Sequence, residues 1–438
     1  MDFVSPQHPD YDHIRLLHNG SIDKRPALIA RCRSLADIAN VVKRARDEAQ
    51  PLAIRGGGHN VAGLASVDAG IMLDLSLMKG VHVDPVARTV RVEGGCLWRE
   101  VNAATAAHAL ATTGGVVSST GVAGLTLGGG LGWLMGRYGL ALDNLVSAVV
   151  VTADGRAVTA SETEHPDLFW ALRGAGANFG VVGSFQFALH DVGPVVAGGL
   201  IAYPLTAARD VLRWFRDFTA SAPDHVTLAA ALTHAPDGSG VPLAAILMCD
   251  CGALEEGLAY AARLKAVGTP AMDGLGPIPY TELNQMLDSG FPRGARNYWK
   301  SRFVKELTDE AIDGMVDLFG QCPSIASVMV LEHIHGEAAR KAIDATAFAH
   351  RREGYSFVTM AQWQDPACDG PNVAWAKASL ARVQPALEAG AYVNYLDADE
   401  GSDPVAAAYG TNYARLRALK RRYDPDNLFR INHNIPPA

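Results

Sequence analysis

Cysteine, runs of basic residues and long apolar segments are all scarce in this 438-residue sequence. Its six cysteines are scattered, and Cys249 and Cys251 have no second pair to complete a zinc pattern. No stripe of lysine and arginine is available for nucleic acid, and a net charge of -8 disfavours anionic membranes. The most apolar stretches, such as 145–151, are too short to span a bilayer. We therefore expect no metal site, no nucleic-acid partner and no membrane partner.

The first residues also lack the features of a secretory signal. Residues 1–12 are polar, contain Pro6 and Pro9, and have neither a basic start nor an apolar core. Without an export signal, we expect a cytoplasmic protein whose thiols are reduced and mostly buried. The oligomeric state is left open by the sequence.

Two common nucleotide-binding motifs are missing, although glycine is abundant at 44 residues. No G-x-G-x-x-G opens a strand–turn–helix unit and no G-x-x-x-x-G-K-[ST] occurs, which disfavours a nicotinamide Rossmann site and a P-loop. Glycines instead cluster in three segments, which are predicted to be loops, at 54–60, 121–132 and 173–180. Glycine lets a backbone approach a ligand and turn N–H groups toward phosphate oxygens. The three segments predict an extended phosphorylated ligand such as a dinucleotide; the alternative is that they serve only tight turns and packing.

Hydrophobic periodicity divides the chain into two regions with different predicted secondary structure. In the first, helices are predicted at 34–48, with a serine N-cap, and at 97–111. Short strands are predicted at 51–54, 71–75, 81–84, 89–93, 145–152, 157–160 and 180–189, and two pairs of them, 81–84 with 89–93 and 145–152 with 157–160, are predicted to form hairpins. From about residue 194, helices at 207–220 and 254–266 accompany strands at 227–232, 243–248, 327–334 and 355–363. A last helix is predicted over 409–423. This pattern indicates a two-domain α+β protein with an antiparallel sheet covered by helices.

Several motifs, taken in order along the chain, carry a resemblance to a known family. They are RGGGHN at 55–60, TGVAGLTLGGG at 120–130, DLFWALRG at 167–174, YVNY at 392–395, YDPDN at 423–427 and NHNIP at 432–436. From about residue 23 onward, the chain resembles the berberine-bridge-enzyme-like FAD-linked oxidases of the vanillyl-alcohol-oxidase superfamily. The resemblance implies an FAD-binding domain at 1–193, a substrate domain at 194–395 and a C-terminal segment at 396–438 that returns to the FAD domain.

The same resemblance implies how FAD is held. His59 corresponds to the histidine that is attached to the flavin 8α-methyl carbon; the alternative is that it only hydrogen-bonds near the pyrophosphate. Many relatives add a second link from a cysteine about eleven residues before the triple glycine, and Val117 stands at that position here. We therefore expect attachment through His59 alone, with Cys96 as a small buried residue. The residues expected to bind FAD are Arg55, Gly56, Gly57, Gly58, His59, Asn60, Gly63, Ser76, Met78, Gly115, Thr120, Gly121, Gly124, Leu127, Gly129, Gly132, Gly180, Val182, Asn432 and Asn434.

Oxidation of the substrate also needs a proton acceptor near the flavin. The resemblance implies that Tyr395 is this base, with Tyr138 as either a second active-site residue or a buried aromatic. On a predicted strand, Tyr392 points to the face opposite Tyr395. A tyrosine pKa near 10 must be lowered by a cation or a hydrogen-bond donor before the group can act as a base. Gln362 and His333 are polar residues on apolar strands, so each faces either substrate or solvent.

These features predict an FAD-dependent oxidoreductase that oxidises a small organic molecule, namely an alcohol, sugar, phenol or secondary metabolite. The substrate loses a proton to the base and a hydride to flavin N5, and O2 is the expected final acceptor. Two alternatives remain open: a dehydrogenase that uses another electron acceptor, and a flavin-binding protein without catalysis. The substrate cannot be named, because one fold serves many reactions.

Overall fold

The computed structural model describes residues 1–388, 390–400 and 404–438. Its first half contains β1 (Asp2–Val4), α1 (Tyr11–Ile14), β2 (Leu28–Arg31), α2 (Leu35–Asp47), β3 (Leu52–Arg55), β4 (Ile71–Asp74), β5 (Val81–Asp84), β6 (Thr89–Glu93), α3 (Trp98–Ala106), β7 (Leu110–Ala111), α4 (Val122–Gly128), α5 (Met135–Tyr138), β8 (Leu145–Val151), β9 (Ala157–Ser161), α6 (Pro166–Leu172), β10 (Val181–Ala188) and β11 (His190–Asp191). Its second half contains β12 (Val195–Pro204), α7 (Ala208–Thr219), β13 (Val226–His234), β14 (Pro242–Asp250), α8 (Leu254–Leu264), β15 (Met272–Asp273), β16 (Gly276–Pro279), α9 (Tyr280–Gln285), β17 (Arg296–Val304), α10 (Asp309–Phe319), β18 (Val328–Ile334), α11 (Glu337–Arg340), β19 (Gly354–Trp363), α12 (Asp369–Val383), α13 (Pro404–Tyr409) and α14 (Tyr413–Tyr423). Within the ranges described, no helix combines the length and apolar character that a membrane crossing needs.

A four-stranded sheet with the order β1-β2-β4-β3 begins the fold, and β2, β4 and β3 run parallel. Helix α2 packs its apolar face on this sheet. Ser34 caps the helix, since its side chain accepts a hydrogen bond from the Asp37 amide at 3.2 Å. The predicted helix and its cap are confirmed. Strand β3 ends at Arg55 and so delivers the chain to the first glycine segment.

A five-stranded antiparallel sheet follows, with the order β5-β6-β10-β8-β9. Both predicted hairpins are confirmed, and the second turns at Gly155, whose φ is 78°. The helix predicted over 97–111 is shorter than expected and ends at Ala106. The reason is a left-handed Ala109, with a φ of 56°, which turns the chain into β7.

The second half is built on an eight-stranded antiparallel sheet, ordered β15-β12-β14-β13-β18-β19-β17 with β16 beside β12. Helices α7, α8, α10 and α12 bury their apolar faces on one side of it. The predicted antiparallel sheet covered by helices is therefore confirmed. The sequence prediction did not include β12, β17, α10 or α12. Glycines interrupt β12 and charged residues interrupt β17, so neither strand has a continuous apolar pattern.

The C-terminal segment packs back on the first half of the chain. Tyr409, Leu416 and Ile435 share one hydrophobic cluster with Phe169 and Trp170. The helix predicted over 409–423 is confirmed over Tyr413–Tyr423, but a 3-10 turn at Gly410–Asn412 separates this helix, α14, from α13. Gly410 has a φ of 48°, which is incompatible with a continuous helix.

Candidate functional site

A cavity of about 940 Å³ lies between the glycine segments and the large sheet. One wall comes from the first half of the chain, including the turn after β3, helix α4 and residues 175–178. Residues 431–433 of the C-terminal segment complete that wall. The opposite wall is the face of the eight-stranded sheet that the helices leave uncovered. The cavity is therefore built jointly by both halves of the fold.

The first glycine segment is a tight turn that contacts the second segment directly. A Cβ on Gly57 would lie 2.5 Å from the Gly121 amide nitrogen, so only glycine fits there. Gly58 has a φ of 73°, in the left-handed region that favours glycine. His59 follows and lines the cavity. The contact between the two segments thus fixes where the histidine side chain emerges.

The second glycine segment was expected to be a loop, but it begins with helix α4. The helix is stabilised by packing, since Val122, Thr126 and Leu127 are buried, and tertiary packing outweighs the low helix propensity of glycine. After the helix, Gly129 and Gly130 take φ angles of 145° and 94°. The segment therefore presents a helix and a tight turn to the cavity.

The third glycine segment is joined to the C-terminal segment through Asn178. The Asn178 side-chain amide donates to the His433 carbonyl at 3.1 Å, and its oxygen accepts from the Ile435 amide at 2.9 Å. Close by, Asn432 Oδ1, His433 Nε2 and Asn434 Oδ1 are buried without a hydrogen-bond partner among the described residues. A glycine cradle and unpaired polar atoms fit a dinucleotide such as FAD.

Most residues predicted to bind FAD do line this cavity. They are Gly56, Gly57, Gly58, His59, Asn60, Thr120, Gly121, Gly124, Leu127, Gly132, Gly180, Val182 and Asn432. The prediction missed other lining residues, among them Ala175, Ala177, Ile431 and His433. These residues could have been predicted from the sequence, because each lies within or next to a motif that the prediction used.

The remaining predicted FAD residues do not line the cavity: Arg55, Gly63, Ser76, Met78, Gly115, Gly129 and Asn434. Arg55 and Ser76 both bond the buried Asp74 carboxylate, with Arg55 Nη2 at 2.5 Å and Ser76 Oγ at 2.8 Å. Met78 is buried in the core of the first sheet. Gly63, Gly115 and Gly129 closely approach neighbouring side chains instead.

His59 lies in a setting that keeps its imidazole neutral. Its ring stacks on His18 with centroids 4.0 Å apart, and its Nε2 lies 3.2 Å from the Ser119 hydroxyl. Burial lowers the pKa of His59 to about 3, and the neighbouring His18 adds to this effect. A neutral imidazole retains a nitrogen lone pair that can form a bond to carbon.

Val117 and Cys96 differ in their access to the cavity. Val117 lines it, whereas Cys96 is fully buried elsewhere, with its thiol near the Met78 and Gly80 carbonyls. Burial raises the pKa of Cys96 to about 12, so this thiol is not ionised near neutral pH. The expectation that Cys96 is a small buried residue is confirmed.

Tyr392 and Tyr395 were expected on opposite faces of a strand, and this is wrong. Residues Val393–Tyr395 form a 3-10 turn, in which side chains three positions apart lie on the same side. The two rings contact each other with centroids 4.8 Å apart, and both line the cavity. The Tyr392 hydroxyl accepts a hydrogen bond from the Gly130 amide at 2.7 Å. The turn thereby ties this segment to the end of α4.

Glu332 was not predicted, yet it lines the cavity beside Tyr395. The Tyr395 hydroxyl donates to Glu332 Oε1 at 3.1 Å, while Glu332 Oε2 is buried without a partner in the described structure. Burial raises the pKa of Glu332 to about 7, against the opposing effect of the neighbouring Ser356 and Tyr395 hydroxyls. A carboxylate within the apolar run of β18 was the signal in the sequence that pointed to this site.

The same pair contradicts the condition set for Tyr395 as the base. Burial and the adjacent Glu332 raise the pKa of Tyr395 well above its usual value, whereas the prediction required it to be lowered. Tyr395 therefore keeps its proton and acts as a hydrogen-bond donor. Glu332 is the group of the pair that loses its proton near neutral pH.

The two predicted substrate residues have different positions. Gln362 lines the cavity, and its side-chain nitrogen donates to the Gly290 carbonyl at 2.9 Å. His333 does not reach the cavity, because side chains alternate along β18 and Glu332 occupies the inner face. His333 instead stacks on His335, with centroids 4.3 Å apart, and lies 5.5 Å from Tyr355.

Tyr138 is also not among the residues that line the cavity. It ends α5 and is stacked on His190 at 4.0 Å, with its hydroxyl 3.2 Å from the Asp191 carbonyl. The alternative of a packed aromatic with a satisfied hydroxyl therefore describes Tyr138, and the predicted active-site position is not supported by its location.

This fold and cavity define a class of protein, a two-domain α+β protein whose glycine-lined cavity, between the two halves of the fold, fits a dinucleotide such as FAD. A family described as FAD binding domain matches residues 26–161, and a family described as berberine and berberine like matches residues 391–436. The chain is 31% identical to (R)-6-hydroxynicotine oxidase of Paenarthrobacter nicotinovorans, over 100% of this chain and 96% of the relative. The chain belongs to the berberine-bridge-enzyme-like family of FAD-linked oxidoreductases.

Solved structures agree with this assignment. The crystal structure of 6-hydroxy-D-nicotine oxidase from Arthrobacter nicotinovorans has a TM-score of 0.89 at 29% identity, covering 100% of this chain and 98% of that chain. Glucooligosaccharide oxidase from Acremonium strictum, described with a 6-S-cysteinyl, 8α-N1-histidyl FAD, has a TM-score of 0.89 at 23% identity and coverage of 100% and 97%, which indicates the shared fold. The protein is thus an FAD-dependent oxidoreductase that acts on a small organic molecule.

Proposed function

We propose that this protein is an oxidase in which Glu332 removes a proton from the substrate, FAD is attached through His59 alone, and O2 is the final acceptor. The observation that carries the proposal is that Glu332, Tyr395 and His59 line one cavity. Bound FAD supplies the hydride acceptor. The relative named as an oxidase supports the choice of O2 over another electron carrier.

Glu332 and Tyr395 have separate roles in this proposal. Glu332 Oε2 is unpartnered in the described protein, so it can accept a proton from an O–H or N–H group of the substrate. Tyr395 is a positioning residue, because its hydroxyl holds Oε1 at 3.1 Å and thereby directs Oε2 toward the cavity. The proton moves from the substrate to Oε2 of Glu332, while Tyr395 remains protonated.

We also propose the domain boundaries as 1–193, 194–395 and 396–438. In support, β12 begins the large sheet at Val195, and Tyr409, Leu416 and Ile435 pack on the first half of the chain. The returning segment also carries Asn432 to the cavity wall. The first and third segments together would hold FAD, and the middle one would hold the substrate.

The position of Val117 leads to a prediction about the number of flavin links. In the wild-type protein, peptide mapping should find flavin on the peptide that contains His59 and none on the peptide that contains Cys96. Val117→Cys places a thiol on the cavity wall and should allow a second attachment, seen as two peptides joined through one flavin. Val117→Ser is the matched control and should keep the single link. Flavin on Cys96 would contradict the proposal.

Reoxidation in air tests the choice of O2. We expect the purified protein to be yellow, to be bleached by its substrate without oxygen, and to recover its colour in air with about one hydrogen peroxide per flavin. The measurement is absorbance during anaerobic titration, followed by a peroxide assay. A bleached protein that recovers only with an artificial electron acceptor would be a dehydrogenase. If dithionite bleaches the protein but no compound of a broad substrate panel bleaches it, the result would favour flavin binding without catalysis.

A further inference from the structure

The charge of the cavity restricts the substrate. Of the residues that line it within the described ranges, none is lysine or arginine, and two, Glu332 and Asp273, are carboxylic acids. Asp273 is exposed and paired with Lys265 at 2.6 Å, so Glu332 is the buried carboxylate that can offer a counter-charge. The lining histidines do not add positive charge, because burial lowers the pKa of His18 and His433 to about 4 and that of His59 to about 3, and also lowers the pKa of His234. An anionic substrate would therefore lose its hydration without gaining a counter-charge. A cationic substrate would gain the Glu332 carboxylate as its counter-charge.

Two buried side chains on the sheet wall offer hydrogen-bond acceptors that no described residue occupies. They are Glu332 Oε2 and Gln362 Oε1, and each residue is more than nine-tenths buried. Their other polar atoms are already engaged, by Tyr395 and by the Gly290 carbonyl. A buried acceptor without a partner is costly, so the complementary ligand is a hydrogen-bond donor. An ammonium group donates up to three hydrogen bonds and accepts none.

The wall between these two acceptors is apolar. Glu332 on β18 lies opposite Ser356 on β19. Gln362 lies six residues further along β19, so it is about 20 Å from Ser356 at roughly 3.4 Å per residue. Val328, Val330 and Met360 line the intervening wall. Ile325 lines the cavity at the end where Gln362 lies, and its side chain is 56% exposed, so this end is the mouth of the cavity. The inner end, at Glu332, is where the carboxylate lies.

We propose that the substrate class of this enzyme is an amine, cationic in solution, carried on an elongated apolar body. The amine binds Glu332 at the inner end, and the apolar body extends along Val330 and Val328 toward Gln362 at the mouth. This inference rests on the proposed function, because Glu332 serves both to bind the ammonium and to accept its proton. Carboxylate-bearing substrates are excluded by the same charge argument.

The chemistry balances for this substrate class. The ammonium transfers one proton to Glu332 Oε2, which leaves a neutral amine with a nitrogen lone pair. The neighbouring carbon would then lose a hydride, and the substrate would become an iminium cation. Bound FAD would supply the acceptor of these two electrons. Water in the solvent converts the iminium to a carbonyl compound and an ammonium ion, which carries the positive charge. The proton on Glu332 returns to solvent.

Binding of three compounds with the same apolar body tests the class. The probes are 4-phenylbutylamine, 4-phenylbutanol and 4-phenylbutanoate, titrated calorimetrically without oxygen into the holoprotein at pH 8. We expect the amine to bind roughly 10- to 100-fold more tightly than the alcohol, since a hydrogen bond to a charged group is the stronger one, and the carboxylate to bind more weakly than the alcohol. Glu332→Gln should lower the binding affinity for the amine to that for the alcohol. Asp273→Asn, at the other lining carboxylate, should keep the preference.

The outcomes separate this inference from the proposed function. An alcohol that binds as tightly as the amine, an amine that does not bind, or a preference that survives Glu332→Gln overturns the substrate class. Tight, Glu332-dependent amine binding without any bleaching of the flavin would support the class and reject the proposed catalytic role. Bleaching by neutral alcohols that depends on Glu332, with no amine preference, would retain the proposed function and reject the class.

Discussion

Glu332→Gln should bind FAD and fold normally but slow anaerobic bleaching of the flavin by substrate about 10²- to 10⁴-fold, the usual cost of losing a general base. The glutamine keeps the shape of the side chain and can still accept the Tyr395 hydrogen bond, but it cannot take a proton. Stopped-flow absorbance measures the rate. A variant that bleaches at the wild-type rate would remove Glu332 from the mechanism.

The pH dependence of the same reaction has a defined sign. The base must be ionised, and burial raises the pKa of Glu332 from 4.5 to about 7. The rate at low substrate concentration should therefore rise with pH and level off above about 7, falling about tenfold per unit at lower pH. This fall in rate at low pH, the acidic limb of the pH profile, should be absent from the residual activity of Glu332→Gln. Its persistence at the same pH in the variant would assign the limb to another group.

Tyr395→Phe is the matched control, because it removes the hydroxyl that positions Glu332 while leaving the carboxylate in place. We expect a smaller loss of rate and an acidic limb shifted to higher pH, since the Tyr395 hydrogen bond lowers the Glu332 pKa. Folding is checked by thermal unfolding. Because the raised pKa costs stability progressively as pH rises from about 4.5 to about 7, and in full above that, Glu332→Gln should melt above wild type at pH 8, with a difference that shrinks toward pH 5.

Loss of covalent flavin is the second large effect we expect. In the wild-type protein, flavin should remain with the chain after acid precipitation, and the intact mass should exceed that of the polypeptide by one FAD. His59→Ala removes the cavity-lining imidazole that burial keeps neutral, so its flavin should be fully extractable. Mass spectrometry and absorbance of the acid supernatant measure this. Wild-type protein whose flavin is wholly extracted would reject the covalent link.

A second cavity histidine provides the matched control for that experiment. His234 also lines the cavity and is carried by β13, at the end of the sheet wall, away from the glycine turn. His234→Ala should therefore retain covalent flavin while His59→Ala loses it. Loss of the link in both variants would indicate a general disturbance of the cavity and not a specific bond at His59.

Much of the fold and part of the site could be predicted from the sequence. Local signals determine elements such as the Ser34-capped helix and the hairpin at Gly155, because caps and turns act within a few residues. The end of the helix at Ala106 and the break at Gly410 were missed, since each depends on one left-handed residue. The glycine segments indicated where the cavity wall lies, because glycine is required where two backbones meet, as at Gly57 and Gly121.

The sequence by itself determined the family, the histidine at the glycine turn and the valine at residue 117, because each is an identity within a short motif. The tertiary structure alone decided which polar groups meet. Glu332 and Tyr395 are 63 residues apart in sequence, and only the packing of a 3-10 turn against β18 brings them within 3.1 Å. That burial raises both pKa values, which is why we propose the carboxylate and not the phenol as the proton acceptor. Strand alternation likewise placed Glu332 inside the cavity and His333 outside it.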